Sequence, residues 1–113
     1  MAQTYDVVIK WTVMGIVEQA LIDNLMNGFI HTLAQRENLP AHIIFYGEGA
    51  KLTTKGSPCL EDLKELEKKG VKILSCGICV DYYELTDHLE VGETTTMAEV
   101  VEILTNSNLI VEP

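Results

Sequence analysis

Residues 71–83 read Val-Lys-Ile-Leu-Ser-Cys-Gly-Ile-Cys-Val-Asp-Tyr-Tyr, and the rest of the chain is best read outward from them. A short apolar run (Val71, Ile73, Leu74) ends in two thiols, Cys76 and Cys79, and a polar segment with Tyr82 and Tyr83 follows. That is the pattern of a strand delivering cysteines to a turn. A helix starting just after Cys76 would set its thiol among unpaired backbone N–H groups at the positive end of the helix dipole, where the thiolate is favoured. On this reading Cys76 is fixed by the sheet, Gly77 leaves room for a bulky reactant, and Cys79, one helical turn later, is the less exposed thiol.

Upstream, Tyr5–Trp11 is short and rich in aromatic and β-branched residues, which predicts a first strand followed by a loop over Thr12–Gly15. From Ile16 to about Gln35, Ile22, Leu25, Met26, Phe29 and Leu33 recur at helical spacing, with Glu18, Asp23, Asn27 and His31 on another side. Leu21 and Ile30 widen this apolar stripe, so a flank of the helix should also be covered, as a subunit contact would do. Asn38-Leu39-Pro40 stops the helix. His42–Tyr46 is a second strand opening into the loop Gly47-Glu48-Gly49-Ala50-Lys51, which is too short and irregular for a phosphate loop. His42 reads as a plain strand residue.

Ser57-Pro58 marks a helix start and Gly70 its stop, with acidic Glu61 and Asp62 early and Lys68 and Lys69 late. Cys59 shares the apolar face of this helix with Leu63 and Leu66 and reads as a structural thiol. The third strand, Val71–Ser75, leads into the thiols. Asp81–Leu89 has helical character and Val91–Thr95 is β-like. Thr96-Met97-Ala98-Glu99 matches a capping box that opens a last helix over Met97–Thr105, and Asn108–Val111 adds a final strand.

Strands alternating with helices predict one α/β domain over 1–113, a three-layer α/β/α sandwich with a mostly parallel sheet of about five strands. Ligands meet such sheets at the carboxyl ends of the strands. The loops after the strands should therefore bring Met14, Gly47, Gly49, Lys51, Gly77, Tyr82 and Thr95 to one edge with Cys76 and Cys79.

Seventeen acidic residues against 8 basic ones give a net charge of −9, which repels a phosphate backbone and leaves nucleic acid out, while a basic patch on another protein fits. No apolar run approaches a membrane span, and the amino terminus lacks a basic region followed by an apolar one, so neither a membrane nor export is expected. Three cysteines, an odd number, suit free thiols in the cytoplasm better than a disulfide framework.

A Cys-x-x-Cys pair serves several chemistries. A closed zinc site needs four ligands, and the only others on offer are Cys59 and the scattered His31, His42 and His88, so no metal is expected. Two inert, buried cysteines in a noncatalytic assembly subunit, or a thiol-disulfide redox module, remain open beside a nucleophilic thiol. Lys51 and Glu48 read as an ordinary exposed charge pair, and Tyr82 and Tyr83 serve as site lining or as packing residues.

The segment Ser75-Cys-Gly-Ile-Cys-Val-Asp-Tyr-Tyr83 resembles the Cys-Gly-Thr-Cys-Leu-Asp-Tyr-Tyr segment of DsrE/DsrF-like sulfur-relay proteins, especially the carboxyl-terminal domain of YedF-type selenium-metabolism proteins. Leu25–Ile30, Gly49-Ala-Lys-Leu52, Leu60–Gly70 and Val91–Met97 agree in order and spacing, so the resemblance spans nearly the whole chain. It departs at Ile78, where threonine is usual, and in lacking a TusA-like amino-terminal domain. The resemblance implies a flavodoxin-like fold, homo-oligomers (trimer or dimer), no cofactor, and a sulfurtransferase role in which one cysteine carries sulfane sulfur as a persulfide. By position after the third strand that cysteine is Cys76, and Cys79 matches a second cysteine of some branches. Donor and acceptor would be other proteins, a TusA-like one among them.

Overall fold

A computed structural model describes residues 4–12 and 24–113, and for 19–23 the backbone alone. Five strands form one all-parallel sheet: β1 (Asp6–Ile9), β2 (His42–Phe45), β3 (Lys72–Cys76), β4 (Glu93–Thr95) and β5 (Ile110–Val111). Their order across the sheet is β4-β3-β2-β1-β5. The α/β expectation holds, and the parallel pairing follows from the helices between the strands: α1 (Gln19–Ala34), α2 (Leu60–Lys68), α3 (Gly77–Tyr82) and α4 (Met97–Thr105).

The register sets Val7, Ile43 and Ile73 in one row and Ile9 and Phe45 in the next. These five residues, all at most 2% exposed, form one core with Met26, Ile30 and Leu33 of α1 and Leu63 and Leu66 of α2. Each fully buried aliphatic side chain here contributes about 1.5–3 kcal/mol over exposure. Val8, Ile44 and Leu74 alternate to the opposite face and are also buried. Successive steps from β1 to β4 run one way and the return to β5 runs the other, so right-handed crossovers put α4 over that second face. A sheet buried on both sides explains why its strands read as continuous apolar runs.

Local signals account for the helix ends. Thr96 Oγ1 accepts the Glu99 N–H at 3.2 Å, which starts α4 at the expected residue. Gly70, with φ of +101°, ends α2: its N–H donates to Glu67 O at 3.0 Å and the Val71 N–H to Leu66 O at 3.0 Å, a Schellman pair. The opposite end of α2 starts later than expected. Ser57 Oγ accepts the Cys59 N–H at 3.1 Å, and regular helix begins at Leu60.

Other boundaries differ for physical reasons. The stripe of α1 runs through Met26, Ile30, Leu33 and Ala34, so Ile30 is fully buried within this chain rather than waiting for a partner. Leu25 is 40% exposed on the flank beside β5. Asp81–Leu89 is not one helix: α3 begins at Gly77, Glu84 turns the chain at φ of 56°, and a separate 3-10 turn covers Thr86–His88. The expected loop from Gly47 is a 3-10 segment, Gly47–Thr53, with Gly49, Ala50, Leu52 and Thr53 buried. His42 also does more than pair strands. Its Nδ1 lies 2.7 Å from Oδ1 of Asp6, a carboxylate only 3% exposed, and the ring N–H satisfies a charge that burial would otherwise penalise.

Gly49 fixes the 3-10 segment against β1. A Cβ there would stand 2.3 Å from Ile9 O and 2.9 Å from Ile9 C, both backbone atoms that cannot step aside. The Gly49 N–H also donates to Lys10 O at 3.1 Å. Gly49→Ala should destabilise the fold by about 2–3 kcal/mol, seen in urea titration as a lower midpoint with unchanged slope. An unchanged midpoint would refute this packing.

Candidate functional site

The carboxyl edge of β2, β3 and β4 gathers most of the expected residues. Cys76 is the last residue of β3, pairs in register with Thr95, and serves as N-cap of α3. Its side chain makes no capping hydrogen bond, and α3 has only 6 residues, so the helix start offers this thiol little. The backbone donor comes from elsewhere. The N–H of Gly47, where the chain leaves β2, donates to Cys79 Sγ at 3.0 Å.

Exposure of the two thiols is the reverse of the sequence expectation. Cys76 is 2% exposed, whereas Cys79 is half-buried. The reason lies in the pleat: Cys76 ends a central strand and points into a covered face, while Cys79 sits on a short helix that lies over the sheet edge. Burial pushes the Cys79 thiol above its ordinary value, the Gly47 N–H opposes that, and hydrogen bonding and charge from Cys76 push it further up. All three cysteines are free.

Gly77 also serves a different purpose from the one expected. A Cβ there would stand 3.2 Å from Thr95 O, so the missing side chain allows α3 to approach β4 and opens no space for a reactant. Tyr82 is 79% exposed and Ile78 68%, one helical turn apart on the outer side of α3. Tyr83 is the inner tyrosine. It meets the Tyr82 ring edge-on at 5.0 Å, and the Lys51 ammonium sits 4.4 Å from its ring centre. Partial burial holds its hydroxyl above the ordinary value, with the Glu48, Tyr82 and Cys79 charges adding to this. The four-residue spacing from Cys79 to Tyr83, one face of a helix, was the available signal.

The structure thus brings Cys76, Cys79, Gly47, Gly77 and Thr95 together, with Lys51 at the rim over Tyr83 and Gly49 beneath as an anchor. Tyr82 stands outside the niche, and Met14 lies outside the described residues. Thr53 Oγ1 and Ser75 Oγ, 3.2 Å apart, tie the 3-10 segment to β3 from the other face of the sheet. Among the described residues, no three His, Cys, Asp or Glu side chains group in a way that would hold a metal ion, and no helix is long and apolar enough to cross a membrane.

Residues 18–112 match the DsrE/DsrF-like family. No curated protein matches the sequence. The fold is similar to that of the ychN protein from E. coli, at 14% identity and a TM-score of 0.73 over 98% of this chain and 99% of that one. It is similar also to MTH1491, a protein of unknown function from Methanobacterium thermoautotrophicum, at 17% identity and a TM-score of 0.70 over 98% and 99% of the two chains. A third, BT1422 from Bacteroides thetaiotaomicron, gives 18% identity and a TM-score of 0.61 over 96% and 94%. At these identities the likeness carries the fold.

Cys59 is the contrasting thiol. It is 1% exposed, its S–H donates to Asn27 Oδ1 at 3.1 Å, and burial, with the Asp62 charge adding and the Ser57 hydroxyl opposing, raises its pKa from 9.0 to about 11. In native protein at pH 8 an alkylating reagent should modify Cys79 first and Cys59 only after denaturation, mapped by peptide mass. A folded value above the unfolded one contributes stability that is complete below pH 9 and is lost as pH rises toward 11. Stability of the wild type should therefore fall more across that window than that of Cys59→Ala, by at most about 3 kcal/mol. Parallel curves would show that the thiol is not held this way.

Proposed function

The chain belongs to the DsrE/DsrF-like family, and from that premise we propose that it is a sulfur-relay protein whose Cys76 carries sulfane sulfur as a persulfide. The observation that carries this reading is the shared niche of Cys76 and Cys79 at the carboxyl edge of the sheet, with a backbone N–H aimed at sulfur. Cys76 thiolate attacks the outer sulfur of a donor persulfide. The donor S–S bond breaks, its electron pair leaves on the donor thiolate, and a new S–S bond forms on Cys76. An acceptor thiolate then takes the outer sulfur by the same displacement, so neither transfer changes the net oxidation state. Burial of Cys76 keeps the cargo from bulk water, and Cys79 stands at the mouth.

Donor and acceptor are proteins in this proposal, a TusA-like donor among them, in a cytoplasmic setting that keeps the thiols free. Trp11, Ile78 and Tyr82 are exposed at the strand ends near the niche, and Glu48, Asp81 and Glu84 give the same edge a charge suited to a basic partner. The YedF-like segment around Cys76 supports placement in that branch. Homo-oligomers, trimer ahead of dimer, are part of the same proposal: an apolar groove of about 690 Å³ between α1 and β5, lined by Leu25, Phe29, Leu109 and Val111, offers a surface for a second copy. Light scattering that returns a mass near 12.6 kDa would count against it.

A second reading, a thiol-disulfide redox module, draws on the Cys-x-x-Cys spacing that places both thiols at one end of β3. A noncatalytic assembly role would need both thiols to be unreactive. Incubation with a persulfide donor separates the readings by intact-protein mass. Wild type and Cys79→Ser should each gain one sulfur and Cys76→Ser none. Loss of the adduct only in Cys79→Ser would move the carrier to Cys79. A wild type that gains no sulfur but cycles through a Cys76–Cys79 disulfide at a defined potential would support redox chemistry instead.

A further inference from the structure

Thr95 closes β4, and the parallel register sets it against Cys76 at the end of β3. Partners in register project to the same face of a sheet, so hydroxyl and thiol point into one space. Thr95 is 6% exposed, and its Oγ1 has no hydrogen-bond partner among the described residues. Two other buried threonines differ. Thr53 Oγ1 donates to Ala50 O at 2.8 Å and Thr54 Oγ1 to Lys51 O at 2.7 Å. A buried hydroxyl left unpaired costs about 1–3 kcal/mol, and valine would fill the same volume without that cost. A group that is present only during function would supply the missing partner.

We propose that Thr95 Oγ1 donates a hydrogen bond to the outer sulfur of the Cys76 persulfide, which makes Thr95 the residue that holds the cargo in place. The inference rests on the reading of Cys76 as carrier. In the resting thiol, Cys76 Sγ makes no hydrogen bond with the hydroxyl. An added sulfur stands about 2 Å beyond Sγ and extends the side chain into the space the two residues share. Ionised, that outer sulfur is the charged atom, and hydrogen bonds to charged acceptors are roughly twice as strong as neutral ones. The other donor nearby, the Gly47 N–H, is already engaged by Cys79 Sγ at 3.0 Å. Among the described residues, Thr95 Oγ1 is the buried side-chain group without a hydrogen-bond partner, and it lies beside the cargo.

The test equilibrates wild type, Thr95→Val and Thr95→Ser with glutathione persulfide and glutathione, reads the loaded fraction by intact-protein mass, and records Tm of the unloaded proteins. Thr95→Val should melt at the wild-type temperature or above it, yet its loading constant should fall about tenfold or more. Thr95→Ser should restore loading. A valine variant that loads like wild type would overturn the proposal while leaving Cys76 as carrier. A wild type that takes up no sulfur at all would overturn the carrier reading and this inference together. If the valine variant fails to fold, Thr95→Ala gives the same comparison.

Discussion

Everything at the candidate site depends on the pairing of β3 between β2 and β4. That pairing fixes Cys76 as the last residue of a central strand, opposite Thr95 on one side and beside the exit of β2 on the other. A residue held in a ladder has no freedom to swing out, so a reactant must come to it. The close approach of α3 to β4, permitted by Gly77, then fixes Cys79 over the same edge. The Gly47 N–H reaches Cys79 only because Gly49 lets the 3-10 segment lie against Ile9. Two glycines on different strands' loops thus set the geometry of two thiols.

Burial and reactivity pull in opposite directions here. A thiolate needs stabilisation that an apolar surround does not supply, and the raised value at Cys79 shows burial winning over a single N–H donor. A covered persulfide, by contrast, gains from exclusion of bulk water. On the proposed reading of Cys76 as carrier, the niche would hold sulfur better than release it unaided, and a docking partner would trigger the transfer. The exposed Tyr82 and Ile78 beside it are where such a partner would press on α3.

The sequence was legible where its signals are local. Gly70 and Thr96 each act through hydrogen bonds within a few residues, and both ended or began their helices where expected. Strand runs and helical spacing were enough for the α/β architecture, since a sheet buried on both faces leaves an apolar record in every strand. What stayed hidden depends on contacts between distant segments. The exposure of Cys79 over Cys76 follows from Cys76 ending a strand in a sheet covered on both faces, while Cys79 sits on the short helix at its edge. The Asp6–His42 pair requires β1 and β2 to be in register. The placement of Ile30 in the core and Leu25 on the flank required knowing which side of α1 meets the sheet. The Thr95 hydroxyl gave no signal in sequence, because a missing partner appears only once all neighbours are in place.

The central claim is that Cys76 passes sulfur on intact, and a single-turnover chase with isotopically labelled sulfur tests it most directly. Protein loaded from a labelled persulfide and freed of donor is mixed with an acceptor thiol protein, and the label is followed by mass on both chains. The account predicts that label leaves Cys76 as it arrives on the acceptor persulfide, one for one, with Cys76 and Cys79 both recovered as thiols. Label released as hydrogen sulfide while a Cys76–Cys79 disulfide accumulates, with none on the acceptor, would contradict it.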